Sequence, residues 1–184
     1  MKRLAAGAAT ILALALAGPA GADPVTGGKS VLDPDVDTFE GFADMSISVG
    51  ATGAARDTPK GVDFPVSGGN LRKNLKGQVP QHGGLVFSRN TAEGGVVKLS
   101  QFITVFDGTK AKVFAKSDHA AVRFLDLDLN AVSTNATGTR TTIHRAKATL
   151  AKQGADVLSD TFDFPFRKGI PMGKMTIKLD LEGE

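Results

Sequence analysis

The chain has 184 residues, 41% of them apolar, a formal charge of +3, and no Cys, Trp or Tyr. Without cysteine it has no disulfide staple, thiolate metal site or cysteine nucleophile, so its stability has to come from a packed core. Eleven phenylalanines supply much of the bulk for one.

Residues 1–22, MKRLAAGAATILALALAGPAGA, set Lys2 and Arg3 before an apolar run from Leu4 to Ala17, then a Gly18-Pro19 break before Ala20-Gly21-Ala22. This is the layout of a secretory signal peptide cleaved near Ala22, and the run is shorter than the ~20 residues that span a bilayer. The expectation is an exported protein, secreted, periplasmic or on the cell surface, with no transmembrane segment in the mature chain. Loss of Lys2 and Arg3 lowers the formal charge to +1. The remaining cations are scattered singly or in short groups, so no clustered cationic face for nucleic acid is expected.

Residues 23–38 (DPVTGGKSVLDPDVDT) are rich in Gly, Pro and Asp and lack a period, which predicts a flexible leader before a single β-rich domain over 39–184. Gly28-Lys29-Ser30 imitates the end of a phosphate loop, but Asp23 stands where the first glycine belongs and no strand is expected before it. Asp33, Asp35 and Asp37 alternate like calcium ligands, yet Thr38 replaces the glycine such a loop needs, so a solvated leader is the favoured reading.

From Phe42 to Val49, Ala43, Met45, Ile47 and Val49 alternate with polar residues, the period of a half-buried strand. Gly50 to Gly61 reads as a loop. Val62 to Val66 alternates again, with Pro65 assigning it to a sheet edge or a strand end. Leu75 to Val79 is a short segment, followed by QVPQHGGLVFS at 78–88, in which Gly83-Gly84 predicts a turn. Strands follow over Gly84–Ser88 and Val96–Phe106, joined by the turn-rich residues 90–95, and Asp107-Gly108 turns the chain into Lys110–Ala115.

Two longer strands are expected over Val122–Ala131 and Thr139–Leu150. Only Ala151 to Phe162 has helical spacing, through Ala151, Ala155, Leu158 and Phe162. Gly173 to Gly183 alternates Met175, Ile177, Leu179 and Leu181 with polar residues, an antiparallel strand with one wet face. The fold class is therefore mainly β: an antiparallel β-sandwich or open barrel with one short helix near residues 151–162.

Reactive side chains are few. The Gly-x-Ser-x-Gly elbow and the His-Glu-x-x-His pair are both missing, and no acid, base and nucleophile assemble, so an enzyme is not expected. Asp126 and Asp128 share a strand face, but alternation with Leu125, Leu127 and Leu129 accounts for them as a wet face. The three histidines are His82, His119 and His144. His144 has the parity of the inward residues Ala146, Ala148 and Leu150. His119 falls in a loop beside Asp118, and a three-histidine metal centre would have to be assembled by the fold.

A longer pattern runs from Phe64 to Ala115. It comprises Phe64-Pro65-Val66-Ser67-Gly68-Gly69, Leu75-Lys76-Gly77-Gln78-Val79, His82-Gly83-Gly84-Leu85-Val86-Phe87, Val97-Lys98-Leu99-Ser100-Gln101-Phe102 and a strand after Asp107-Gly108. It resembles the central part of the HtaA-type domains, secreted or surface β-rich modules that take up haem in bacteria. It also resembles a looser group of exported bacterial β-proteins of unassigned role. The resemblance implies a tyrosine on the haem iron with a histidine supporting it. His82 is the counterpart of that histidine, and the tyrosine has none, so haem bound here would take a histidine ligand.

The function expected from this reading is a secreted or cell-envelope β-sandwich binding protein with haem as ligand and His82 as the ligand-binding residue. The alternative is a structural or adhesive envelope module without a cofactor, recognising envelope protein or glycan.

Overall fold

The computed structural model describes residues 22–91, 94–118, 120–130, 134–137 and 139–182. The signal-peptide expectation over 1–22 therefore falls almost wholly outside the described residues, as does His119.

The fold is an antiparallel β-barrel closed by eight strands. In ring order these are β1 (Asp23–Pro34), β5 (Asn70–Leu71), β6 (Lys76–Arg89), β7 (Val96–Asp107), β8 (Lys110–Lys116), β9 (Ala121–Asp128), β11 (Arg140–Leu150) and β12 (Pro171–Leu181). Pairing of β12 with both β11 and β1 completes the circle. Outside the ring, β2 (Ile47–Thr52) adds to β6, β4 (Gly61–Pro65) to β1, β3 (Arg56–Thr58) to β4 and β10 (Thr134–Thr137) to β11. The barrel is thus closed rather than open, and it is not a sandwich: β1 and β12 remove the two free edges that an open sheet would leave.

That closure replaces the expected leader. Residues 23–34 form β1, whose Val25 and Leu32 are buried and whose register with β12 runs from Val25 opposite Leu181 to Pro34 opposite Gly173. The composition is explained by crowding. A Cβ on Gly28 would fall 2.1 Å from the Lys178 carbonyl oxygen, so the backbone itself packs there. Gly28-Lys29-Ser30 is consequently mid-strand, with the Lys29 ammonium 2.6 Å from an Asp63 carboxylate oxygen and Ser30 fully buried.

The expected strand from Phe42 is the second correction. Helix α1 (Val36–Asp44) precedes β2, and Ser46, at φ 58, reverses the chain between them. Asp35 caps the helix, its Oδ1 accepting from the Thr38 amide at 3.1 Å, and Asp37 lies in the first turn, where negative charge is favoured. Phe39 and Phe42, three residues apart, form its inner face. Two of the three alternating aspartates thus start a helix, while Asp33 pairs with Arg145 at 3.3 Å.

Helix α2 (Lys152–Phe162) lies where the spacing placed it, with Ala155, Leu158 and Phe162 buried. Gly154 permits its approach to β9: a Cβ there would sit 2.8 Å from the Phe124 carbonyl oxygen. Strands β8 and β12 keep the expected alternation, β7, β9 and β11 occupy the expected segments, each with an irregularity, and Leu125, Leu127, Leu129, Ala146, Ala148 and Leu150 are buried.

Phenylalanine rings link the inside of the barrel to the helices. Phe64 meets Phe102 at 5.2 Å between ring centroids, Phe102 meets Phe124 at 6.3 Å, Phe124 meets Phe87 at 5.9 Å, and Phe87 meets Phe42 of α1 at 5.8 Å. Each such pair adds about 0.5–1.5 kcal/mol beyond its buried area. An eight-stranded barrel is just wide enough to be filled by side chains, and this column fills it. Leu158→Ala, which leaves a void between α2 and the barrel, is expected to cost about 2–5 kcal/mol, read from urea unfolding followed by circular dichroism.

Candidate functional site

The site begins with a fault in strand pairing. Along β6 and β7, Gln81 faces Phe102 and Gly84 faces Ser100, so His82 and Gly83 together oppose the single residue Gln101. This is a β-bulge. Gly83 takes φ 91 and Gln101 φ 51, and a second irregularity, between β7 and β8, also includes Gln101. The glycine pair therefore does not turn the chain between two strands. It bends one strand of fourteen residues that continues on both sides.

On its other edge β6 changes partner at the same place. Gln81 bridges to Val66, whereas Gly84 pairs with Thr52 at the end of β2. His82 and Gly83 lie between these two partners, and a depression of about 490 Å³ opens around them. Thr52 and Gly53 border it on one side, Ser67 and Pro80 on another, and Ser100 and Gln101 on a third. Both glycines are required by close approach. A Cβ on Gly83 would lie 2.1 Å from the Ala55 amide nitrogen, and one on Gly84 2.1 Å from the Leu99 carbonyl oxygen.

Beneath the depression the chemistry changes from polar rim to apolar core. Phe102 and Gln81 both line it and are both nearly fully buried. The Gln81 side-chain amide donates to Ser30 Oγ at 2.9 Å and to Thr104 Oγ1 at 3.0 Å. Buried amides and hydroxyls are costly unless paired, so this trio ties β1, β6 and β7 together directly below the bulge. His82 is exposed at the rim, and among the described residues its imidazole is the only titratable group that lines the depression. An exposed imidazole above a floor of Phe102 and Gln81 presents one nitrogen donor at the mouth of the depression, whose volume falls in the ~300–1,000 Å³ range of small-molecule sites.

The other sequence candidates do not join it. His144 lies in β11, four strands from β6 in either direction around the ring. A bulge at His144 and Arg145, with Arg145 at φ 51, breaks the parity argument: Ile143 and Ala146 are fully buried and His144 is half-buried between them. Among the described residues no three His, Cys, Asp or Glu side chains cluster to hold a metal ion. Asp126 is ion-paired with Arg123, and Asp128 accepts from the side chain of Asn130 at 2.9 Å.

Gln81 is a site residue that the motif around His82 does not single out. The available signal was parity, since Gln81 follows Val79 by two residues in a run whose alternate members are apolar. The bulge makes two substitutions at adjacent positions separable. Gly83→Ala is expected to cost more than about 1 kcal/mol, because φ and space both exclude a methyl group. His82→Ala is expected to stay within about 0.5 kcal/mol of the parent, both measured by urea unfolding.

No protein-family model matches the chain, and no curated protein matches it. Solved structures do. The chain is similar to the C-terminal domain of HtaA from Corynebacterium glutamicum, with a TM-score of 0.70 at 14% identity over 87% of this chain and 99% of that one. The N-terminal domain of the same HtaA gives 0.66 at 14% identity, covering 86% and 98%. The heme-binding protein HtaB from Corynebacterium glutamicum gives 0.56 at 13% identity, covering 88% and 96%. The resemblance read from residues 64–115 thus extends over most of the chain, which has the fold of the HtaA domains.

Proposed function

We propose that this protein is an exported, non-enzymatic binding module whose ligand is haem, which the depression at the β6–β7 bulge would hold, with His82 as the residue that would bind the iron. The observation that carries the reading is that the one imidazole lining the 490 Å³ depression stands at the strand fault of a barrel shared with a heme-binding protein. The residues suit such a group. Ile103 and Pro80 would offer the macrocycle apolar surface, and His82 would offer the iron a nitrogen ligand. Among the described residues no Lys or Arg lines the depression. Haem would supply a redox-active iron there, and Pro80, His82 and Ile103 would hold it.

Export is supported by the layout of residues 1–22, and the non-enzymatic reading by the lack of any assembled acid, base and nucleophile. Tyrosine is absent from the whole chain, so a single histidine has to carry the iron. Hemin titrated into the purified protein is expected to give a saturable 1:1 shift of the Soret band. His82→Ala is expected to weaken binding by about tenfold or more, equivalent to ~1.4 kcal/mol. No saturable shift, or one that His82→Ala leaves unchanged, would refute the assignment and favour the envelope module without a cofactor.

A further inference from the structure

A second depression, of about 360 Å³, lies on the outer wall formed by β8, β9 and β11 and shares no residue with the first. Lys110, Lys112, Lys147 and Lys168 line it. In the sequence these lysines come from separate segments. Register brings three of them onto one face: Lys110 is opposite Asp128, Asp128 is opposite Lys147, and Lys112 is opposite Asp126. Lys168 reaches the same depression from the residues between α2 and β12.

The local carboxylates do not neutralise this group. Asp126 is taken by Arg123. Asp128 lies between two lysines, yet its Oδ1 accepts from the Asn130 backbone and side-chain amides at 3.0 and 2.9 Å. Among the described residues none of the four lysines holds an ion pair. With Arg123 and Asp126 cancelling, the four lysines against Asp128 leave an excess of three positive charges in one concave site. That excess stands out in a chain whose formal charge is only +3 in total, two of which belong to Lys2 and Arg3. Concave patches of one sign concentrate counter-charged ligands, and lysine ammoniums act as point-charge partners for phosphate.

Asp128 narrows the ligand class. A carboxylate within a ring of lysines repels a surface made only of anions, but it accepts a hydrogen bond from a hydroxyl. We propose that this depression binds a phosphate ester of a hydroxylated carrier, the lysines surrounding the phosphate oxygens and Asp128 accepting from a carrier hydroxyl. The ester can be a free sugar or glycerol phosphate or the repeating unit of a polyol-phosphate polymer. The site is independent of the haem reading.

The test is an amide NMR titration of the purified protein with glycerol 3-phosphate, inorganic phosphate, poly(glycerol phosphate) and heparin, against sodium chloride at matched ionic strength. Expected are saturable shifts centred on Ala111, Lys112, Leu127 and Ala148, weakened about tenfold or more in Lys112→Gln/Lys147→Gln, equivalent to ~1.4 kcal/mol. All substituted side chains are exposed, and the unperturbed remainder of the spectrum reports an intact fold. In Asp128→Asn the preference for glycerol 3-phosphate over inorganic phosphate should shrink. Tighter binding per phosphate by the polymer assigns the polymer as source, and equal binding assigns the small ester. Shifts that match chloride, that survive the double lysine substitution, or that appear only with a long sulfated polyanion such as heparin would overturn the proposal.

Discussion

Closure of the barrel by β1 against β12 is the constraint on which the rest of the structure depends. The two strands pair from Val25 with Leu181 to Pro34 with Gly173, joining the first described segment of the chain to the last. This contact brings Ser30 into the interior beside Gln81 and Thr104, so the polar trio below the candidate site exists only when the ring is complete. It also lets a small core be sealed without disulfides, because every long strand of the ring has partners on both edges. Such pairing is highly non-local, and slow, cooperative folding is the expected consequence.

A column of phenylalanine rings occupies the interior of the closed barrel. Both proposed sites lie at the wall instead, where pairing is irregular or charge is uneven. The β6–β7 bulge provides the first kind of place and the lysine-lined depression the second. In the first, the two glycines do different work from the turn their sequence suggests. They remove the side chains that would collide with Ala55 and Leu99, so that β6 bends without ending and His82 stands clear at the rim. The first depression is lined by one imidazole and otherwise by uncharged residues, whereas the second is strongly cationic. Two sites of such different character are suited to two different ligands, one flat and apolar, the other anionic.

Much of the fold was legible in the residues. Alternation located β7, β8, β9, β11 and β12, and the spacing of Ala155, Leu158 and Phe162 located α2, because in those segments the period directly reflects burial. Local signals misled where they had two meanings. Glycine and proline around residues 24–34 mark close backbone contact in a central strand as readily as they mark a leader. Asp35 after Pro34 was a helix cap hidden inside a run resembling a calcium loop. The parity of His144 failed because a bulge shifts every residue before it to the other face, and bulges with non-glycine residues such as Arg145 leave little trace in sequence. The lysine depression was illegible for a related reason: its members are distant in the chain and meet only through register. His82 was found as a candidate, while Gln81, the buried group that anchors the strand beneath it, was not.

The most direct measurement of where the first ligand sits is the map of amide signals broadened when paramagnetic hemin is added to the isotope-labelled protein. Broadening centred on Thr52, Gly53, Gly83 and Gln101, with Lys112 and Lys147 spared, is the result that a haem site at the bulge requires. Broadening centred on β11 around His144, or spread evenly over the barrel surface, would contradict it.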